Sequence, residues 1–113
     1  ILGALSKRDI GIYFNNKNKK WKDANSKIFM IFCKNLLDIN NNELINLDIN
    51  FICEKPKINQ YHKKIKDNIS KLLKIKIKDL SIKATTNEKI GFIGNGEGIA
   101  AEAIIQISNE NSN

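Results

Sequence analysis

Residues 82–103 constrain the fold more than any other stretch. Ile82-Lys83-Ala84-Thr85-Thr86 alternates small or apolar side chains with polar ones and ends in hydroxyls, with Glu88 close behind. Glycines follow at 91, 94, 96 and 98, and a second run of small and apolar residues reaches Ile107. Period-two alternation interrupted by glycines reads as strand, polar loop, strand. A hairpin-like pair at this end obliges the rest of the chain to supply a sheet partner and a cover.

Upstream, Asn25 or Ser26 can cap a helix in which Ile28, Phe29, Ile31, Phe32, Leu36, Leu37 and Ile39 recur at helical spacing. Asn40-Asn41-Asn42 is a turn. Residues 44–54 alternate, with Leu47, Ile49, Phe51 and Cys53 on one face and Asp48 and Asn50 on the other, as a half-buried strand does. Pro56 closes that strand. Asn59 is placed to cap a second amphipathic helix carrying Tyr61, Ile65, Ile69, Leu72 and Leu73. A connection at about 74–78 leads to a strand from about Asp79. Residues 1–8 read as the end of a helix that begins upstream, residues 9–11 as a turn at Gly11, and residues 15–23 as a lysine-rich loop pinned by Trp21. Residues 109–113 read as a polar tail. The expected architecture is α+β: a two-layer α/β sandwich, one domain over residues 1–108, with a mixed sheet and helices on one face. The small-residue run 98–103 offers no bulk to cover the other face, which points to sheets meeting across a subunit contact.

At 113 residues the chain suits one domain. No apolar run approaches the roughly 20 residues that span a bilayer, and residues 1–5 lack the pattern of a signal peptide. The net charge of +7 has two readings. One is a polyanionic partner. The other is biased composition, because Lys, Asn and Ile crowd the whole chain. Cys33 and Cys53 sit in apolar runs without metal-ligand spacing, as buried free thiols do. His62, the one histidine, stands among lysines, where a surface or cap role is ordinary.

Thr85, Thr86 and Glu88 carry the most chemistry. Hydroxyls at a strand end, beside amides freed by that end, can bind phosphate oxygens, and a nearby carboxylate can share a divalent cation with the same phosphates. The alternative is a polar strand end with a capping carboxylate. The glycine loop at 94–98 lacks the Lys-Ser or Lys-Thr of a phosphate loop and precedes a strand, so it is a turn. Lys57 can meet a phosphate or be one more surface lysine. Asp9 before Gly11 can accept from sugar hydroxyls or cap a helix end.

In this order, residues 9–11 (Asp-Ile-Gly), 21–26 (Trp-Lys-Asp-Ala-Asn-Ser), 55–57 (Lys-Pro-Lys), 83–92 (Lys-Ala-Thr-Thr-Asn-Glu-Lys-Ile-Gly-Phe) and 94–103 resemble 2-C-methyl-D-erythritol 2,4-cyclodiphosphate synthases of the non-mevalonate isoprenoid pathway. The resemblance runs from Ile1 to about Ile107 without a gap. It implies cyclisation of 4-diphosphocytidyl-2-C-methyl-D-erythritol 2-phosphate with release of CMP. It also implies a homotrimer joined through its sheets with sites between subunits, a zinc ion, and a magnesium or manganese ion. Thr86 resembles the threonine that contacts the diphosphate and steadies the transition state. Glu88 resembles the ligand of the Mg2+ or Mn2+ ion. Asp9 and Gly11, with Ile10 and Phe14 beside them, resemble the segment that holds the sugar. Residues 53–59, with Cys53, Pro56, Lys57 and Ile58 among them, resemble the segment whose backbone reads cytosine, so Cys53, Glu54, Lys55 and Ile58 need not match the family in side chain. Thr85, Asn87, Phe92 and Asn95 belong to the same implied site.

This chain departs from the family in several places. Amides and lysines at 15–19 replace an acidic, proline-containing loop; Asn87 stands for a threonine; and Asn95 stands for the arginine of the glycine loop. The family's Asp-x-His and further His, its zinc ligands, are not among these residues, and the resemblance places them upstream of residue 1. It further implies a bacterial cytoplasmic or plastid-stromal enzyme, with no nucleic-acid or membrane partner. The competing class, a small basic RNA-binding module, requires an aromatic platform, and the strands carry almost no exposed aromatics.

Overall fold

The computed structural model describes residues 1–109. Its strands are β1 (Asn42–Ile52), β2 (Leu80–Thr85) and β3 (Ala100–Asn109), and its helices are α1 (Ile10–Tyr13), α2 (Lys27–Ile39), α3 (His62–Leu73) and α4 (Gly91–Gly94). The strand order is β2-β1-β3. β1 runs parallel to β2, with Leu47 opposite Leu80 and Ile52 opposite Thr85. It runs antiparallel to β3, with Asn42 opposite Asn109 and Ile52 opposite Ala100. The expected α+β architecture with a mixed sheet is therefore present. The hairpin-like pairing of the last two strands is not, because β1 lies between them. A parallel pair needs a crossover, and α3 supplies it.

The core lies between one sheet face and the helices. Leu37 of α2 and Ile69 and Leu73 of α3 pack with Leu44, Leu47, Leu80 and Ile82, and Ile49, Phe51, Ile105 and Ile107 flank them. Leu37 is fully buried. Leu44 and Leu47 are an odd number of residues apart yet both face the core, because the β1–β3 register shifts between Leu44 and Asn46. The opposite face of the sheet carries Asp48, Asn50, Lys83, Glu102 and Ile104, and none of the described residues covers Ile104, which is 75% exposed. There Lys83 donates to Asp48 at 2.9 Å.

Local chemistry sets the element ends. Asn25 caps the start of α2, its Oδ1 accepting from the Lys27 amide at 3.0 Å, whereas Ser26 makes no such bond. α3 ends where Lys74 turns left-handed (φ 54°) and Ile75, buried just beyond, donates its amide to the Ser70 carbonyl.

Several sequence expectations need correction. Residues 1–8 form a turn rather than a sustained helix: the Ser6 and Lys7 amides return to Gly3 and Leu2, and Ser6 is left-handed at φ 58°. Ile1 and Leu5 nonetheless pack against the core. Gly11 is inside α1, with Asp9 at its N-cap position, rather than in a turn. The 15–23 loop contains a short 3-10 turn, Lys19–Trp21, and Trp21 does anchor it, stacking edge-on against Phe14 at 4.8 Å. Asn59 does not cap α3; it lies in a 3-10 turn, Ile58–Tyr61, that feeds into it. β3 extends through Asn109, which was assigned to the tail; the rest of that tail lies outside the described residues.

Candidate functional site

β1 and β2 end side by side, and the Cys53 amide donates to the Thr85 carbonyl at 3.0 Å, carrying the ladder one residue beyond β1. The two chains then part, and the crevice outside the carboxyl ends of parallel strands is where ligands bind in such sheets. A cavity of ≈ 190 Å³ opens there, lined by Cys53, Glu54, Pro56, Lys57, Ile58, Asn59, Ala84, Thr85 and Thr86. Cys53 and Ile58 are buried walls. Lys57 and the two threonines supply a cation and hydroxyls. The Cys53 thiol points back to the Pro56 carbonyl at 3.6 Å, so it serves the turn's own backbone. Binding clefts for whole ligands run to roughly 300–1,000 Å³. This one fits a single ring, with the charged part of a ligand left at the rim.

Past Thr86 the backbone is tightly held. Glu54 Oε1 accepts from the Asn87 amide at 3.2 Å and from the Lys89 amide at 3.1 Å. Thr86 Oγ1 accepts from the Glu88 amide at 3.4 Å, and the Asn87 side chain donates to the Ile90 carbonyl at 2.8 Å. The Asn87, Glu88 and Lys89 amides are therefore engaged within the protein, the Thr85 hydroxyl donates to the Thr86 carbonyl at 3.3 Å, and the proton of the Thr86 hydroxyl is what remains. Glu88 and Lys89 are both left-handed, at φ 53° and 61°.

The glycine loop packs on this turn. A Cβ at Gly94 would lie 2.2 Å from the Lys89 carbonyl carbon, and one at Gly98 would lie 3.1 Å from the Phe92 ring. Close approach to the Lys89 backbone at Gly94 and to the Phe92 ring at Gly98, rather than contact with a ligand, is what these glycines permit.

Of the sequence-derived site residues, Cys53, Pro56, Lys57, Ile58, Thr85 and Thr86 line one cavity, with Asn87 and Glu88 immediately beyond it. Phe92 and Asn95 lie on and just after α4, outside the cavity lining. Asp9, Ile10, Gly11 and Phe14 are not brought to it either. Phe14 is held in an aromatic cluster with Trp21, Phe29 and Phe32, at ring separations of 4.7–4.9 Å. Sequence reasoning included three residues in its motifs without giving their side chains a role. Ala84, Asn59 and Glu54 line the cavity, and Glu54 ties its two halves together. Adjacency to Thr85 signals Ala84, but no local signal marks a bond between residues 33 or more positions apart.

The YgbB family model matches residues 1–108. The 2-C-methyl-D-erythritol 2,4-cyclodiphosphate synthase of Ehrlichia canis is 46% identical over 105 residues, 93% of this chain and 61% of that protein. Among solved structures, a CDP complex of IspF from Plasmodium falciparum superposes with a TM-score of 0.85 at 38% identity, over 97% of this chain and 65% of that one. The bifunctional IspDF of Campylobacter jejuni superposes at 0.82 with 35% identity, over 94% of this chain and 29% of that one. The chain thus spans less than two thirds of each of these proteins. With its parallel strand ends, its cavity and its Thr-Thr-Asn-Glu turn on the matched residues, the chain belongs to the YgbB family.

Proposed function

We propose that the protein acts as a 2-C-methyl-D-erythritol 2,4-cyclodiphosphate synthase in isoprenoid precursor biosynthesis. The observation that carries this is the cavity joining residues 53–59 to Ala84, Thr85 and Thr86. It holds the cytosine ring of a cytidine diphosphate group between Cys53 and Ile58 and leaves the diphosphate at Lys57 and the threonines. The reaction joins an oxygen of the substrate's 2-phosphate to the diphosphate phosphorus that is esterified to the methylerythritol. The bond from that phosphorus to the CMP oxygen breaks, and CMP leaves.

Positioning and charge neutralisation supply most of the rate in such transfers. Thr86 Oγ1 already accepts from the Glu88 amide, which leaves its own proton to be donated to a phosphoryl oxygen. Lys57 adds positive charge at the rim. The Asp9 segment lies away from the cavity, and the far sheet face exposes Ile104. A homotrimer packed through its sheets, with Asp9 and Gly11 of one copy completing the sugar end of the next copy's site, accounts for both.

Among the described residues no three His, Cys, Asp or Glu side chains gather as a metal site. These residues alone do not fit zinc. Glu88 fits Mg2+ or Mn2+ better, since such ions use one or two carboxylates and complete their shell with phosphates and water. When bound, the ion would offset phosphate charge. No helix among the described residues is long and apolar enough to cross a membrane; the family reading implies a bacterial cytoplasm or plastid stroma.

The test is CMP release from the cytidyl substrate with Mg2+ and Zn2+ supplied. Thr86→Ala and Glu88→Gln should each lower turnover by more than about tenfold, the scale of losing one oriented phosphate or metal contact. A folded protein that releases no CMP sinks the reading, and wild-type rates in both variants would show the roles misassigned.

A further inference from the structure

The geometry points to Glu54 as the positioning residue for the turn that carries Thr86 and Glu88. Its role rests on the function proposed above, but the contacts do not. One carboxylate oxygen, Oε1, accepts from the Asn87 and Lys89 amides, the two that flank Glu88. Glu54 stands at the end of β1 and the turn at the end of β2, so the bonds cross the mouth of the cavity that both residues 53–59 and Thr86 line. Two successive non-glycine residues in left-handed backbone, Glu88 and Lys89, persist only where their surroundings hold them. The Glu54 carboxylate supplies that hold, because hydrogen bonds to an ionised acceptor are about twice as strong as neutral ones. The bond between the Glu88 amide and Thr86 Oγ1 depends on the same backbone, so orientation of the Thr86 hydroxyl passes through Glu54. Glu54 need not touch the substrate to set the rate.

The experiment compares wild type, Glu54→Gln and Glu54→Ala by amide hydrogen exchange, CDP affinity and turnover. Exchange at Asn87 and Lys89 should quicken by about tenfold or more in Glu54→Ala, as expected for losing a charge-assisted bond. Turnover should fall by a similar factor while the dissociation constant for CDP moves less than about threefold, because Cys53 and Ile58 still form the ring pocket. Glu54→Gln keeps an acceptor oxygen and should recover most of both the protection and the turnover. Unchanged exchange at the two amides in Glu54→Ala overturns the proposal, as does a Gln variant no better than Ala. If Glu54→Ala does not fold, Glu54→Met, of similar length but with no oxygen acceptor, takes its place: exchange faster than wild type at Asn87 and Lys89 supports the proposal, and exchange equal to wild type refutes it. Failure of the wild type to bind CDP or release CMP would instead count against the proposed function, leaving the exchange result standing.

Discussion

Replacing Gly94 with alanine tests the turn from its other side. The added Cβ would meet the Lys89 carbonyl carbon at 2.2 Å, its Cα at 2.7 Å and its oxygen at 2.9 Å. All three are backbone atoms, so no rotamer change relieves the overlap. Ordinary contact begins at 3.4 Å, so the two segments must part by about 1.2 Å. Two bonds stand in the way: the Gly94 amide to the Ile90 carbonyl at 3.1 Å, and the Lys89 amide to Glu54 at 3.1 Å. A neutral bond contributes about 1 kcal/mol and one to a carboxylate about 1.5–3 kcal/mol. Gly94→Ala should therefore cost about 2–4 kcal/mol, read from a urea titration. A displacement near 1 Å beside a reacting group can cost about 100-fold in rate, so CMP release should fall more steeply than stability. Gly96→Ala is the control. Nothing lies within 4 Å of its added Cβ and only its φ of 77° opposes the change, so the cost should be about 1 kcal/mol. Equal, small effects of the two substitutions would refute the argument from close approach.

Two further outcomes follow from burial. Leu37→Ala empties the most enclosed core position and should lower unfolding free energy by about 2–5 kcal/mol, visible as a drop in the denaturant midpoint with little change in slope; a loss under about 1 kcal/mol would mean that α2 is loosely seated. Burial pushes the Cys33 thiol above its ordinary pKa. The folded state then holds the thiol proton more tightly than the unfolded state, so this group's contribution to stability falls as pH rises through the ordinary thiol range. Alkylation of the Cys33 peptide, followed by mass spectrometry, should rise at higher pH in the folded protein than in urea, and coincident profiles would contradict the burial argument.

What was legible in the sequence is what short periods encode. Leu47, Ile49, Phe51 and Cys53 announce β1, and the helical spacing from Ile28 to Ile39 announces α2, because each pattern is the face that the element buries. Strand order was not legible. Two runs separated by a glycine loop look like neighbours, yet β1 has two edges and both are used. The site divided in the same way. Thr85, Thr86, Pro56 and Lys57 sit at strand ends, which the sequence marks, while Glu54 works through bonds to residues that only the completed sheet brings near. Phe14 shows the converse: the motif around it suggested a site residue, and in this chain its ring serves a cluster of aromatics.

The central place of β1 bears on synthesis. Asn42 pairs with Asn109, and Ile52 with Ala100, so one whole edge of β1 waits for a partner made dozens of residues later. A ribosome adds about 5–20 residues each second, so the nascent chain spends seconds with β1, α3 and β2 translated and one sheet edge unpaired. An open strand edge is a template for pairing with another chain. On polysomes, where copies emerge side by side, the window before β3 arrives is when this sheet is most exposed to the wrong partner. Slowing translation between β2 and β3 should raise the aggregated fraction.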